Sequence, residues 1–152
     1  MTPLASVSDG PAGPPRPGTW SDRVTLLEAG LCLAIAGLSV HAVPFRWIGG
    51  ALRRPERSGR EENEADSHRQ ARRVGWAIRR AAEKSPVRFA CLAQSVAAKA
   101  MLARRRTAST LHLGVRKTEQ GELAAHAWVR VGETFVTGRE GHRRFTVVAR
   151  FD

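Results

Sequence analysis

The rhythm of apolar and polar residues changes repeatedly along this chain, and each change marks an element boundary. Residues 1–19, MTPLASVSDGPAGPPRPGT, carry no rhythm; rich in Pro, Gly and Ser, they bury little apolar surface and read as a disordered tail. Residues 20–52 form an apolar segment. Ser21 or Asp22 suits the cap of a helix running from about Arg23 to about His41, and Pro44 stops it. Between Ala29 and Val43 only Ser39 and His41 are polar, so this helix is apolar on nearly every side. That pattern belongs to a helix that is buried, faces a partner or touches a membrane. The uninterrupted run is shorter than the roughly 20 residues of a membrane span, which favours burial or a partner. The following FRWIGGALRR also suits contact with a membrane surface.

Residues 53–68, RRPERSGREENEADSH, are charged and poor in apolar side chains, the pattern of an exposed linker. A helix over about 69–84 follows, with Val74, Ala77, Ile78 and Ala81 on one face and Arg72, Arg73, Arg79 and Arg80 largely on the other. Ser85–Pro86 ends it. Cys91 then opens an Ala-rich helix, CLAQSVAAKAMLARR, closed by the basic run Arg104–Arg106, where cations suit the helix dipole. From Ser109 the period drops to two. Leu111, Leu113 and Val115 lie on one face of a strand, with His112, Gly114 and Arg116 on the other. After a turn at Thr118–Gly121, ELAAHAWVRV alternates again, with Ala125, Ala127, Val129 and Val131 inward and His126, Trp128 and Arg130 opposite. Gly132–Glu133 makes a tight turn into TFVTG, and RFTVVARF is a last strand. The expected fold class is α+β: N-terminal helices packed on a small antiparallel sheet, with a globular domain over 69–152.

Composition narrows the functional classes. The chain has 152 residues and a formal net charge of +11, which suits one domain with an appended segment. Residues 1–66 hold 7 basic and 8 acidic side chains, and residues 67–152 hold 18 and 6. The excess of cations therefore sits on the second part and favours an acidic partner: nucleic acid, a membrane surface or an acidic peptide. Arg outnumbers Lys heavily, which a GC-rich genome also produces. Two cysteines, Cys32 and Cys91, exclude a disulfide framework and a cysteine-rich zinc site. His41, His68 and His142 have no metal-ligand spacing, no phosphate-binding Gly motif is present, and no secretory signal opens the chain, so a cytoplasmic protein without metal or cofactor is expected.

The chemistry rests on Cys91 and His126. A thiol in the first turn of a helix meets the positive end of the dipole, which favours the nucleophilic thiolate. Backbone N–H groups at the same helix start can hold an oxyanion. A histidine on a following strand can take the thiol proton and later protonate a leaving amine. A Cys heading a helix with a His on a following strand is the core of the papain-like and transglutaminase-like arrangement. The bland reading of a half-apolar Cys is a small packing residue, and that reading suffices for Cys32.

The strings RFACLAQSVAAKAMLARR, LHLGVRK, AHAWVRVGETFVTG and RRFTVVARF resemble the C-terminal domain of lasso peptide biosynthesis B proteins, the transglutaminase-like leader peptidases typified by the microcin-processing maturase. LLEAGLCLAIAGLSVHAVPFRWIG resembles the apolar helix and Pro-Phe-Arg segment of stand-alone members, so the likeness covers about 23–152. It implies a transglutaminase-like cysteine peptidase that removes the leader from a ribosomally made precursor through a thioester on Cys91, with His126 as base and then acid. A separate ATP-dependent cyclase joins the freed amine to an Asp or Glu side chain. Full-length members add a leader-recognition domain of roughly 80–90 residues. The tail and one apolar helix cannot supply it, so a separate leader-recognition protein is expected, with 23–50 as the candidate docking segment.

This sequence departs from the family pattern at the third catalytic residue, usually an Asp on the strand after the His. Its aspartates are Asp9, Asp22, Asp66 and Asp152, none of them there. A Gly132–Glu133 turn sets His126 roughly opposite Arg139, next to Gly138 and Glu140. Glu140 is then the nearest acid, with Glu133, a backbone carbonyl and Gln94 as other orienters. Trp128 and Gln94 are candidate peptide contacts, although plain packing serves Trp128 equally well. His112 reads as a surface histidine. The Arg pairs read as solvated faces or as a cradle for an acidic leader. The competing functions are a basic nucleic-acid binder, for which an aromatic stacking platform and a helix-turn-helix or zinc pattern are lacking, and a non-catalytic scaffold at a membrane or biosynthetic complex.

Overall fold

The computed structural model describes residues 20–42 and 64–152. The readings of 1–19 as a tail, of Pro44 as a helix stop, of the docking segment beyond 42 and of a linker over 53–63 lie outside the described residues. The elements are α1 (Trp20–Ala42), α2 (Glu64–Lys84), α3 (Cys91–Arg104), β1 (Thr110–Lys117), β2 (Leu123–Val131), β3 (Thr134–Thr137), a 3-10 turn (His142–Arg144) and β4 (Thr146–Phe151). Helix α2 starts five residues before the sequence periodicity does. Glu64 and Asp66 place carboxylates in its first turn, where the dipole favours them, and His68 bonds the Thr134 hydroxyl at 2.6 Å.

The sheet order is β3-β2-β1-β4, with every neighbouring pair antiparallel. Helices α2 and α3 lie on one face of the sheet, and α1 lies across them as an outer layer. Ala71, Val74, Ala77 and Ile78 of α2 meet Ala97, Ala98, Met101 and Leu102 of α3 over Leu111, Val129 and Val131 of the sheet, and Ala29, Leu33 and Ala36 close the far side. Each of the larger side chains contributes about 1.5–3 kcal/mol by leaving water. Gly75 permits the close approach of α2 to the sheet edge: a Cβ there would stand 2.6 Å from the Val136 carbonyl oxygen.

Several expectations from sequence are corrected. Helix α1 is not surrounded by protein. Asp22, Thr25, Ala29, Leu33 and Ala36 are buried, while Trp20, Val24, Leu27, Leu31, Ile35 and Leu38 form an exposed apolar stripe. Ala125 is exposed rather than inward. His112 is buried at 9% exposure, because the Trp128 ring stacks on it with centroids 5.4 Å apart and planes 1° from parallel. Burial, followed by the nearby Arg150 and Arg130 charges, pushes the His112 pKa down and keeps the ring neutral. Among the described residues, no helix is long and apolar enough to cross a membrane.

Polar clamps fix the layers. Arg105 grips Glu28 with both guanidinium arms, at 3.0 and 2.6 Å, and Arg104 adds a contact at 3.4 Å. These bonds tie the end of α3 to α1 and hold the Glu28 carboxyl below the usual range. Arg73 reaches from α2 to Ser21 and Asp22 of α1. Cys32 packs half-buried against the core, and desolvation, with Glu28 nearby, pushes its thiol up. It stays a protonated packing residue.

Candidate active site

Helix α3 begins at Cys91 because Ala90 is extended (φ −62°, ψ 155°) and no side chain caps the turn. The first intrahelical bond runs from Gln94 N to Ala90 O at 3.1 Å. The N–H groups of the turn ahead of it point out of the helix without intrahelical acceptors. No acidic residue occupies that turn, so the positive end of the dipole is left for the Cys91 sulfur and for any anion that forms beside it. The approach to the helix is fixed by Gln94, whose amide Nε2 donates to Phe89 O at 2.9 Å.

His126 lies on β2, opposite Gly114 of β1. On its other side the ladder with β3 slips by one residue between Val129 and Arg130 and ends at Val129–Thr137. The extra residue is Val136, a bulge on an edge strand, and such bulges bend the strand and re-aim the residues beyond them. The slip moves the register by one from the uninterrupted ladder that sets Arg139 opposite His126. Gly138 comes next at φ +66° and aims its carbonyl at the imidazole, where it accepts a hydrogen bond from His126 Nε2 at 2.9 Å. A carbonyl only accepts, so Nε2 carries the proton and Nδ1 of the neutral ring carries the lone pair. Any larger residue is excluded at 138, since a Cβ would stand 2.4 Å from Ala127 O and 2.8 Å from Trp128 Cβ.

The imidazole also rests on aromatic rings. Phe145 lies 5.2 Å away and Trp128 5.8 Å away between centroids. His142 packs on Phe135 and Trp128 and bonds Arg139 O through Nδ1, so the 138–145 loop is clamped against the outer face of the sheet. A second lock joins the start of α3 to the strand that leads into Gly138. Ser95, one turn beyond Cys91, shares a buried 3.1 Å hydrogen bond with Thr137, the residue before Gly138.

Cys91 and His126 open on one cleft of about 740 Å³. Gln94, Gly138 and Glu140 line it too, as do Arg72 and Arg79 of α2. Gln94 is therefore at the cleft and uses one of its two amide N–H donors on Phe89 O. Glu140 stands at the wall while the hydrogen-bond partner of the imidazole is the Gly138 carbonyl. Glu133 also lines the cleft and pairs with Arg130. Trp128 does not reach the cleft: it is 4% exposed and supports His126 from beneath, so the packing role replaces that of a peptide contact. The sequence admits a backbone carbonyl as the orienter without saying which; the structure identifies it as that of Gly138 and adds the Ser95–Thr137 bond and the choice of Arg72 and Arg79 within the Arg pairs. The glycine closing TFVTG was the one available signal for that carbonyl.

The arrangement fits a nucleophilic thiol, a base with a fixed tautomer and N–H donors at a helix start. A family model described as the transglutaminase-like superfamily matches residues 35–150. Among curated proteins and among solved structures, none matches the chain.

Proposed function

Because this chain belongs to the transglutaminase-like superfamily, in which cysteine-protease activity is common, we propose that it is a cysteine endopeptidase that removes the leader from a lasso peptide precursor. The observation that carries the reading is the pairing, across one cleft, of a thiol at a helix start with an imidazole whose Nε2–H is held by Gly138 O. In the proposed cycle His126 Nδ1 takes the thiol proton and Cys91 Sγ attacks the carbonyl carbon at the leader–core junction. The oxyanion forms beside the N–H groups of the first turn of α3. The imidazolium then protonates the leaving nitrogen, which departs as the free amine of the core, and the leader stays on sulfur as a thioester. Water, losing a proton to His126, attacks that thioester, releases the leader carboxylate and restores the thiol. The Gly138 carbonyl does the orienting that an Asp does elsewhere in the resembling family, while supplying only a dipole to stabilise the imidazolium.

A separate leader-recognition protein delivers the precursor, and the exposed apolar stripe of α1 supports docking there. An ATP-dependent lasso cyclase consumes the freed amine, all within the cytoplasm. The test uses the short precursor and the recognition protein encoded by neighbouring reading frames. Wild type should release leader and core, while Cys91→Ala and His126→Ala should slow cleavage by about a thousandfold or more. Equal cleavage by Cys91→Ala would end the peptidase reading.

A further inference from the structure

The two Arg pairs of α2 divide their labour. Arg73 is committed to Asp22 and Arg80 to Glu83. Arg104 and Arg105 are both taken up by Glu28. Arg72 and Arg79 are exposed and, among the described residues, pair with no carboxylate; both instead line the cleft that holds Cys91 and His126, as does the exposed Arg139 of the loop after β3. Seven residues apart, they share one face of α2, about 10.5 Å apart along its axis, with Gly75 between them pressed on the Val136 carbonyl.

The direction of α2 along β3 orders the two cations. His68 bonds Thr134 and Gly75 meets Val136, so the helix runs the same way as the strand. Arg79 then lies toward the Gly138 end, where His126 is held, and Arg72 lies farther from the reacting atoms. Guanidinium groups that find no internal carboxylate and face a substrate cleft are matched by carboxylates on the substrate, through charge-assisted and often bidentate bonds. A spacing of about 10.5 Å lies between two and four residues of extended chain, the separations at which side chains share a face and flexible Glu and Arg side chains can close the difference.

We propose that Arg72 and Arg79 are specificity-determining residues that select an acidic segment of the bound peptide, with two carboxylates two or four residues apart on one face of the extended chain. The proposal rests on the peptidase reading for the cleft's being a peptide site. An acidic peptide is favoured over nucleic acid because Glu133 and Glu140 also line the cleft: they oppose a continuous run of phosphates, whereas two carboxylates spaced to meet Arg72 and Arg79 can avoid them.

The experiment measures binding without cleavage. Full-length Cys91→Ala protein is titrated by fluorescence anisotropy into labelled Gly/Ala peptides that carry two Glu four residues apart, two Gln, or two Lys at the same places. The Glu peptide should bind at least about tenfold more tightly than the Gln peptide. Added Arg72→Glu and Arg79→Glu changes should abolish that preference and favour the Lys peptide. Arg23→Glu, on α1 away from the cleft, should change nothing. A thermal melt of each variant checks folding. Equal binding of Glu and Gln peptides, an unchanged preference in the folded double variant, or a DNA duplex that outcompetes the Glu peptide would each overturn the proposal. Since Cys91→Ala cannot turn over, failure of cleavage by wild type counts against the peptidase reading alone. Indiscriminate binding counts against the arginines alone.

Discussion

At the scale of single residues, Gly138 matters as much as the two side chains it sits between. Its positive φ lets the carbonyl turn onto His126 Nε2, and its missing Cβ lets the backbone rest against Ala127 and Trp128. Gly138→Ala therefore strains the backbone and pushes the carbonyl off the imidazole together. Precursor cleavage should fall by about a hundredfold, and alkylation of Cys91 by iodoacetamide at neutral pH should slow with it. Wild-type rates for both would remove the carbonyl from the catalytic arrangement. The residue types of the site were legible in the sequence: Cys91 at the head of an Ala-rich helix, His126 in an alternating strand. The orienting atom was not, because a backbone carbonyl has no residue identity and its aim depends on the one-residue slip at Val136.

At the scale of elements, each helix is fixed by a polar clamp as well as by its apolar face. The clearest is Glu28 with Arg105 and Arg104, joining α1 to the end of α3. The pairing lowers the Glu28 pKa in the folded state, so the unfolded chain binds the proton more readily. Stability from this group is complete above the ordinary carboxylate value of 4.5 and is lost as pH falls through the lower folded value. Urea midpoints of wild type and Glu28→Gln should thus differ by about 1–3 kcal/mol at pH 7. The gap should close progressively below about pH 4.5. A gap that persists at pH 2 would mean that the clamp acts by packing rather than by charge. The strands and α3 were readable from alternation and helix punctuation, which are local. The start of α2 was not, since its first turn is held by a bond from His68 to a strand 66 residues away in sequence.

At the scale of the whole molecule, the layers leave one large surface open. The outer helix buries a narrow stripe centred on Ala29, Leu33 and Ala36 and turns Leu27, Leu31, Ile35 and Leu38 to solvent. These side chains make no contribution to the core, so Leu27→Glu with Leu31→Glu should leave the urea midpoint within about 0.5 kcal/mol of wild type. If the recognition protein docks here, the same pair should weaken its binding by about tenfold or more, read by calorimetry with the two proteins. Unchanged affinity would move the docking site elsewhere. The charge distribution resolves in part: of the cations in residues 67–152, Arg73, Arg104 and Arg105 are used on Asp22 and Glu28 of α1, and Arg72, Arg79 and Arg139 line the cleft.

The sequence by itself determined the α+β class, the order of the elements around the site, the tight Gly132–Glu133 hairpin and the candidate thiol and imidazole, because periodicity, capping and turn chemistry act over a few residues. Tertiary structure alone decided which group holds His126, that Trp128 and His112 are buried against each other, which arginine of each pair reaches the cleft, and that one face of α1 stays uncovered. Each of these depends on which surfaces meet across distant parts of the chain, and a strand slip of one residue or a missing Cβ changes the answer without leaving a mark on the local pattern.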